Sequence, residues 1–180
     1  TFQLRATLTF FYQLPLALVR DDLRLIHACW HPPSFEELPK LVGSWSSLFA
    51  RYRRNANTTL KQGGGTRKRV NDLKSIYPLN APPQPDLPPP IYSLDLSQYF
   101  VLEQNLNPLR VLTQGLYGDL ETQTPFWSGF RWQMCERTRW WDTYEDELPV
   151  IFGHYWRPRG GVAHESQKST IFDGIGPTEW

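Results

Sequence analysis

Arg24-Leu-Ile-His27-Ala-Cys-Trp30 and Pro149-Val-Ile-Phe-Gly-His154-Tyr-Trp156 decide how this chain is read. Each is a short apolar run that ends in a histidine, with an aromatic close behind. A strand that delivers one imidazole from its carboxyl end is a common way for an α/β protein to present a ligand to a crevice. Two such strands, 127 positions apart (154 − 27), can serve one metal site only if the chain returns to pair them. The near-continuous apolar character of Leu23 to Cys29 is that of a strand covered on both faces.

Working outward, the segment from Phe10 to Trp30 reads as a β-hairpin: Tyr12 to Val19, a turn at Arg20-Asp21-Asp22, then Leu23 to Cys29. Ser34-Phe35-Glu36-Glu37 has capping-box spacing, so a short helix is expected from Ser34 to near Pro39. Ser44 to Arg54 carries Trp45, Leu48, Phe49 and Tyr52 at helical spacing. Lys61 to Arg69 is Gly-rich and basic and reads as a loop. Ala81 to Pro90 holds six prolines in ten residues and reads as a semi-rigid connector. Ser93 to Leu106 is a predicted helix ended by Asn107-Pro108. Leu109 to Thr113 is a predicted strand, Arg131 to Trp141 a strand or hairpin arm, and Val150 to Phe152 a short buried strand. After Pro158 the composition turns polar and Gly-rich. The expected architecture is α/β with a mixed sheet and a Pro-rich insertion, one domain over residues 1–158 and an irregular tail over 159–180.

Composition narrows the functional classes. The 180 residues carry 19 Lys+Arg against 18 Asp+Glu, a net charge of +1, so no field argues for nucleic acid or an anionic membrane. The basic stretch of Arg51, Arg53, Arg54 and Lys61 to Arg69 reads as a solvated face. Gly63-Gly-Gly-Thr-Arg-Lys-Arg69 lacks the phosphate-loop pattern. Leu8 to Val19 is apolar but too short to span a bilayer. Two distant cysteines, Cys29 and Cys135, make no disulfide framework, and a reduced, cytoplasmic setting is expected.

Among residues able to carry chemistry, His27 and His154 suit Zn²⁺, Mn²⁺ or Fe. Each alone is more often a packed or hydrogen-bonded histidine than a ligand. Cys29, two residues after His27, would share its face in a strand, either as a His-x-Cys ligand pair or as a buried thiol. Arg131, Arg137 and Arg139 would share one strand face, as an anion clamp or as charge guarding a sheet edge. Trp140, Trp141 and Trp156 read as core. His31 is expected in an exposed loop, and His164 in the polar tail.

The two histidine segments resemble the last two ligand motifs of the calcineurin-like metallophosphoesterases, Val-His-Ala/Gly and Gly-His. Gln104-Asn-Leu-Asn-Pro-Leu-Arg-Val-Leu-Thr113 and Arg137-Thr-Arg-Trp-Trp-Asp-Thr-Tyr144 are similar to segments of a bacterial subgroup of that family, so the likeness runs over residues 10 to 158. It implies a pair of packed β-sheets flanked by helices and a dinuclear centre of Mn, Fe or Zn with His27 and His154 as ligands. It further implies hydrolysis of a phosphomonoester or nucleotide anhydride, with Arg137 and Arg139 beside the phosphorylated substrate. The family's Asp-x-His, Gly-Asp-x-x-Asp-Arg-Gly and Gly-Asn-His-Glu segments are absent; Gly118-Asp119 is the sole Gly-Asp. The expectation is therefore a C-terminal part of such an enzyme, inactive as this chain alone. The rival is a non-enzymatic chain: a degenerate remnant, or a small domain that binds a partner through Pro82-Pro-Gln-Pro85, whose PxxP spacing SH3-type domains read.

Overall fold

A computed structural model describes residues 2–38, 45–62, 66–77, 79–84 and 88–155. These form a mixed α/β chain. In order come α1 (Phe2–Gln13), β1 (Ala17–Val19), β2 (Arg24–Ile26), α2 (Pro32–Glu37), α3 (Trp45–Gln62), α4 (Thr66–Ile76), α5 (Leu94–Asn105) and α6 (Pro108–Gln114). There follow β3 (Tyr117–Asp119), β4 (Phe126–Trp127), β5 (Trp132–Gln133), β6 (Cys135–Arg137), a 3-10 turn at Trp140–Thr143, and β7 (Val150–Phe152). Among the described residues no helix is long and apolar enough to cross a membrane.

The three-stranded sheet runs β1-β2-β7. The β1–β2 pair is antiparallel, with Leu18 opposite Leu25, and β2–β7 is parallel, with Leu25 opposite Ile151 and Ile26 opposite Phe152. Because side chains alternate across a strand, Ile26 is buried on the inner face with Phe152 packed against the core. Leu18, Leu25 and Ile151 form an apolar row on the other face and are 50%, 42% and 54% exposed. The apolar run of β2 thus has one face covered and one open. Two smaller antiparallel pairs, β3–β6 and β4–β5, complete the strands.

The core beneath that sheet is built on Cys29, Val111 and Trp140, with Trp30, Leu116, Trp141, Tyr144, Val150, Phe152 and Tyr155 packed against it. Two bonds pin the backbone just past β2: Ala28 N–H donates to Leu112 O (3.1 Å), and Trp140 Nε1–H donates to Ala28 O (3.0 Å). A third ties the two strand ends together, Gly153 N–H to His27 O (3.0 Å). Other clusters form around Leu48, Tyr52 and Leu109, and around Val70, Leu96 and Met134.

Several elements differ from the expectation. The predicted strand arm from Tyr12 is instead the end of α1, and strand begins only at Ala17. Leu, Ala and Gln in Phe2–Gln13 favour helix, and Pro15 forces the preceding residue out of helical geometry. The expected Ser34 cap is displaced: α2 starts at Pro32 with His31 in the cap position, and Ser34 is buried with its Oγ 2.7 Å from His31 Nδ1. Proline at a first helical turn loses no hydrogen bond and supplies the right φ.

Leu109–Thr113 is helix, not strand. Asn107 Oδ1 accepts from the N–H groups of Leu109 (3.1 Å) and Arg110 (3.4 Å), and Pro108 opens α6. The Asn-Pro pair that ends α5 therefore also starts the next helix. Arg131 to Trp141 is not one strand: β5 pairs with β4 and β6 with β3, broken at the buried Met134. Of the expected Lys61–Arg69 loop, Lys61 and Gln62 end α3 and Thr66–Arg69 begin α4, while Gly63–Gly65 lie outside the described residues. Ala81–Gln84 and Pro88–Pro90 carry neither helix nor strand, as the connector reading requires, with 85–87 outside the description. Trp156, the tail over 159–180 and His164 also lie outside it.

Candidate functional site

Parallel pairing of β2 and β7 brings out two histidines from the carboxyl ends of neighbouring strands. His27 is the first residue past β2 and His154 the second past β7. Their rings meet with centroids 5.1 Å apart, and His27 Nε2 lies 3.2 Å from His154 Nδ1. His154 holds φ +66°, a left-handed conformation uncommon outside glycine. Both rings remain accessible at the surface.

A third side chain joins them. Arg137, at the end of β6, places Nη2 3.2 Å from His154 Nε2 and donates from Nε to Gln114 O (3.0 Å). Its guanidinium lies 5.8 Å from the ring centres of both Tyr117 and Tyr155. The residue that permits this crowding is Gly115, the C-cap of α6, at φ +92° and ψ +166°. A Cβ there would overlap Tyr155 Oη. Burial pushes the Tyr155 phenol up, so it stays protonated.

Burial, then the Arg137 charge, then His27 hold the His154 imidazole down at about 4. At neutral pH the ring is uncharged and has one N–H. Arg137 can only donate, so His154 Nε2 accepts and the ring proton sits on Nδ1. That proton faces His27 Nε2, 3.2 Å away, which accepts it. The three side chains therefore form a directional relay: Arg137 to His154 to His27.

The same spacing suits a cation. Two imidazole nitrogens each about 2.1 Å from one metal and 3.2 Å from each other subtend about 100° at it, between octahedral and tetrahedral values. Among the described residues no third His, Cys, Asp or Glu joins the pair to make a ligand group of three.

The other candidates go elsewhere. Cys29 does not share a face with His27: it is fully buried, because the pinned backbone at Ala28 turns it into the core, and desolvation pushes its thiol up to about 12. Cys135 is likewise a buried free thiol. Arg131, Arg137 and Arg139 do not line one face. Arg131 stacks over Phe100 and donates to Gln133, and Arg139 pairs with Asp142 (Nε to Oδ2, 2.9 Å). Arg139 instead borders a separate cleft of about 360 Å³ with Trp30, Trp140 and Tyr144. His31 is half-buried at the start of α2 rather than exposed, and burial lowers its pKa. Asp119 accepts from the buried Ser97 Oγ (2.6 Å), a structural role in β3. Trp140 and Trp141 are core, Trp141 stacking on Phe152.

Compared with protein-family models, curated proteins and solved structures, the chain gives no match.

Proposed function

We propose that His27 and His154 are the two-histidine end of a metallophosphoesterase-type centre, and that this chain is part of an enzyme acting on a phosphomonoester or nucleotide anhydride. The supporting observation is the meeting of the two imidazoles, 3.2 Å apart, at the carboxyl ends of adjacent parallel strands. His27 Nε2 and His154 Nδ1 would hold one cation of the Mn, Fe or Zn type, which favours imidazole. When bound, such a cation polarises a phosphoryl oxygen and lowers the pKa of its water. The histidines fix its position, and Arg137 beside them supplies a planar fork for an oxyanion.

In this reading the β1-β2-β7 sheet belongs to one layer of a two-layer sandwich, and the open row of Leu18, Leu25 and Ile151 is the face that the other layer covers. The remaining ligands, carboxylates above all, lie outside this chain, and the chain alone does not turn over substrate. Two buried free thiols accord with a reducing, cytoplasmic setting.

The test is metal binding and turnover together. Zinc or manganese should bind the chain at one site, be lost in both His27→Ala and His154→Ala, and leave hydrolysis of an aryl phosphate at the buffer rate. Binding indifferent to both substitutions would end the metal reading. A second reading, partner binding, rests on Pro82, Pro83 and Gln84, which are exposed and outside regular structure. Saturable binding of an SH3 domain, abolished by Pro82→Ala, would favour it.

A further inference from the structure

A net charge of +1 conceals how unevenly this chain carries its charge. From Trp45 to Ile76, the span of α3 and α4, eight Lys and Arg stand against one acid, Asp72, a local charge of +7 (8 − 1). The rest of the chain is left with 11 Lys+Arg (19 − 8) against 17 Asp+Glu (18 − 1), or −6. Folding places the basic stretch in two helices that pack on each other and on α5. Packing then sorts its residues. Leu48, Tyr52, Ala56 and Leu60 are buried along one side of α3, and Val70 is buried on α4. Arg51, Arg54 and Thr58, at i, i+3 and i+7, share the opposite side of α3 and are exposed, with Arg53 exposed at its flank. Among the described residues no carboxylate lies within ion-pair reach of Arg51, Arg53 or Arg54. Glu37 approaches α3 on its packed side, where its carbonyl accepts from the Tyr52 hydroxyl (2.9 Å). Lys61 follows in α3, and Arg67, Lys68 and Arg69 belong to the first turn of α4.

We infer that the α3–α4 face is a docking surface for the sugar-phosphate backbone of a nucleic acid, bound without regard to base sequence. Cations massed on one helical face release counterions from phosphates, and that release drives non-specific nucleic-acid binding. Lys74 is turned to Tyr99, 4.2 Å from the ring centre, and five of the seven other cations are arginines. Arginine's planar fork matches two phosphate oxygens at once. Asn55, exposed one turn beyond Arg51, adds a neutral donor of the kind that meets phosphates. A membrane is the poorer fit, because a basic amphipathic helix binds lipid by inserting its apolar face. That face of α3 is packed instead, with Leu48 and Tyr52 buried against Leu109. The acidic remainder of the chain repels a polyanion and so turns the α3–α4 face toward it. This surface and the two-histidine site share no residue, so either stands if the other fails.

The experiment uses the whole chain and the fluorescence anisotropy of labelled duplex DNA and single-stranded RNA, each about 20 units long, in about 50 to 200 mM sodium chloride. Both should bind, and log affinity for the duplex should fall with log salt at about −0.9 for each phosphate contact. The triple variant Arg51→Gln/Arg53→Gln/Arg54→Gln should bind about tenfold more weakly or worse at the lowest salt, with a slope shallower by about 2–3. Arg54→Gln alone, shallower by about 1, keeps the test open should the triple variant fold poorly. Arg51→Lys/Arg53→Lys/Arg54→Lys preserves the charges and should preserve the slope. Arg5→Gln/Arg20→Gln removes two exposed arginines outside these helices and should leave the slope where it was. Absence of binding to either nucleic acid at the lowest salt overturns the proposal. So does a slope in the glutamine variants equal to the parent's, or a loss in Arg5→Gln/Arg20→Gln as large as in the triple variant. Phosphatidylserine vesicles or polyglutamate bound more tightly than both nucleic acids would also overturn it.

Discussion

Gly115→Ala tests the packing that holds the site together. Gly115 sits at φ +92° and ψ +166°, a region that residues with a Cβ scarcely enter, and forcing alanine into it costs about 1–3 kcal/mol. The new methyl would also overlap Tyr155 Oη and stand 3.1 Å from Cζ, with Arg137 Cδ at 3.7 Å. Overpacking of that kind costs about 1–3 kcal/mol more. The sum, about 2–6 kcal/mol, is a large part of the stability of an ordinary domain. Urea unfolding followed by tryptophan fluorescence would read it, and Trp140 and Trp141 lie in the core concerned. Adding Tyr155→Phe removes the overlapping oxygen and leaves the backbone penalty. The double variant should therefore show a favourable coupling of about 1–2 kcal/mol, as contacting residues do. Gly115→Ala within about 0.5 kcal/mol of the parent, or a double variant with no coupling, would refute the account of this turn.

Two further predictions concern the strand ends. His154→Gly should be about 1 kcal/mol more stable than His154→Ala, since only glycine adopts φ +66° without strain; thermal melts of the pair decide it, and equal stability would mean the backbone is not strained there. Asp146 accepts from Arg24 Nη1 at 2.6 Å, and that hydrogen bond chiefly holds its carboxyl below the usual range. The folded state thus binds this proton less readily than the unfolded one, so the contribution is complete above about pH 3.9 and fades as pH falls through the lower folded value. Asp146→Asn should be the less stable protein at pH 7, with the gap closing below about pH 4; a gap that does not change with pH would contradict it.

What the sequence disclosed was the part governed by local pattern. The apolar runs at Leu25-Ile26 and Val150–Phe152, each followed by a histidine, named the strands and the pair they deliver. Ser93 marked the start of α5, where its Oγ accepts from Leu96 N–H (3.4 Å). Ambiguity came where one short signal had two meanings. Five mostly apolar residues from Leu109 suit strand or helix alike, and only the Asn107 cap distinguishes them. The arginines looked equivalent by alternation, but Met134 breaks the strand and sends Arg131, Arg137 and Arg139 to three different partners. Least legible was Arg137 against His154, because that contact depends on β6 pairing with β3 and on a glycine turn, neither of which leaves a mark near the histidine.

Parallel pairing of β2 with β7 also sets a timetable. The histidines are 127 residues apart, and at a ribosomal rate of about 5–20 residues per second the first waits roughly 6–25 s for the second to be made. Through that interval β2 has β1 for a neighbour on one side and an open edge on the other, with Leu18 and Leu25 bare. An open edge with apolar neighbours is a template for pairing with other chains. A nascent chain of this protein is thus at its most vulnerable while the segment between β2 and β7 is being made, and a ribosome that stalls before Val150 releases a hairpin without its closing strand.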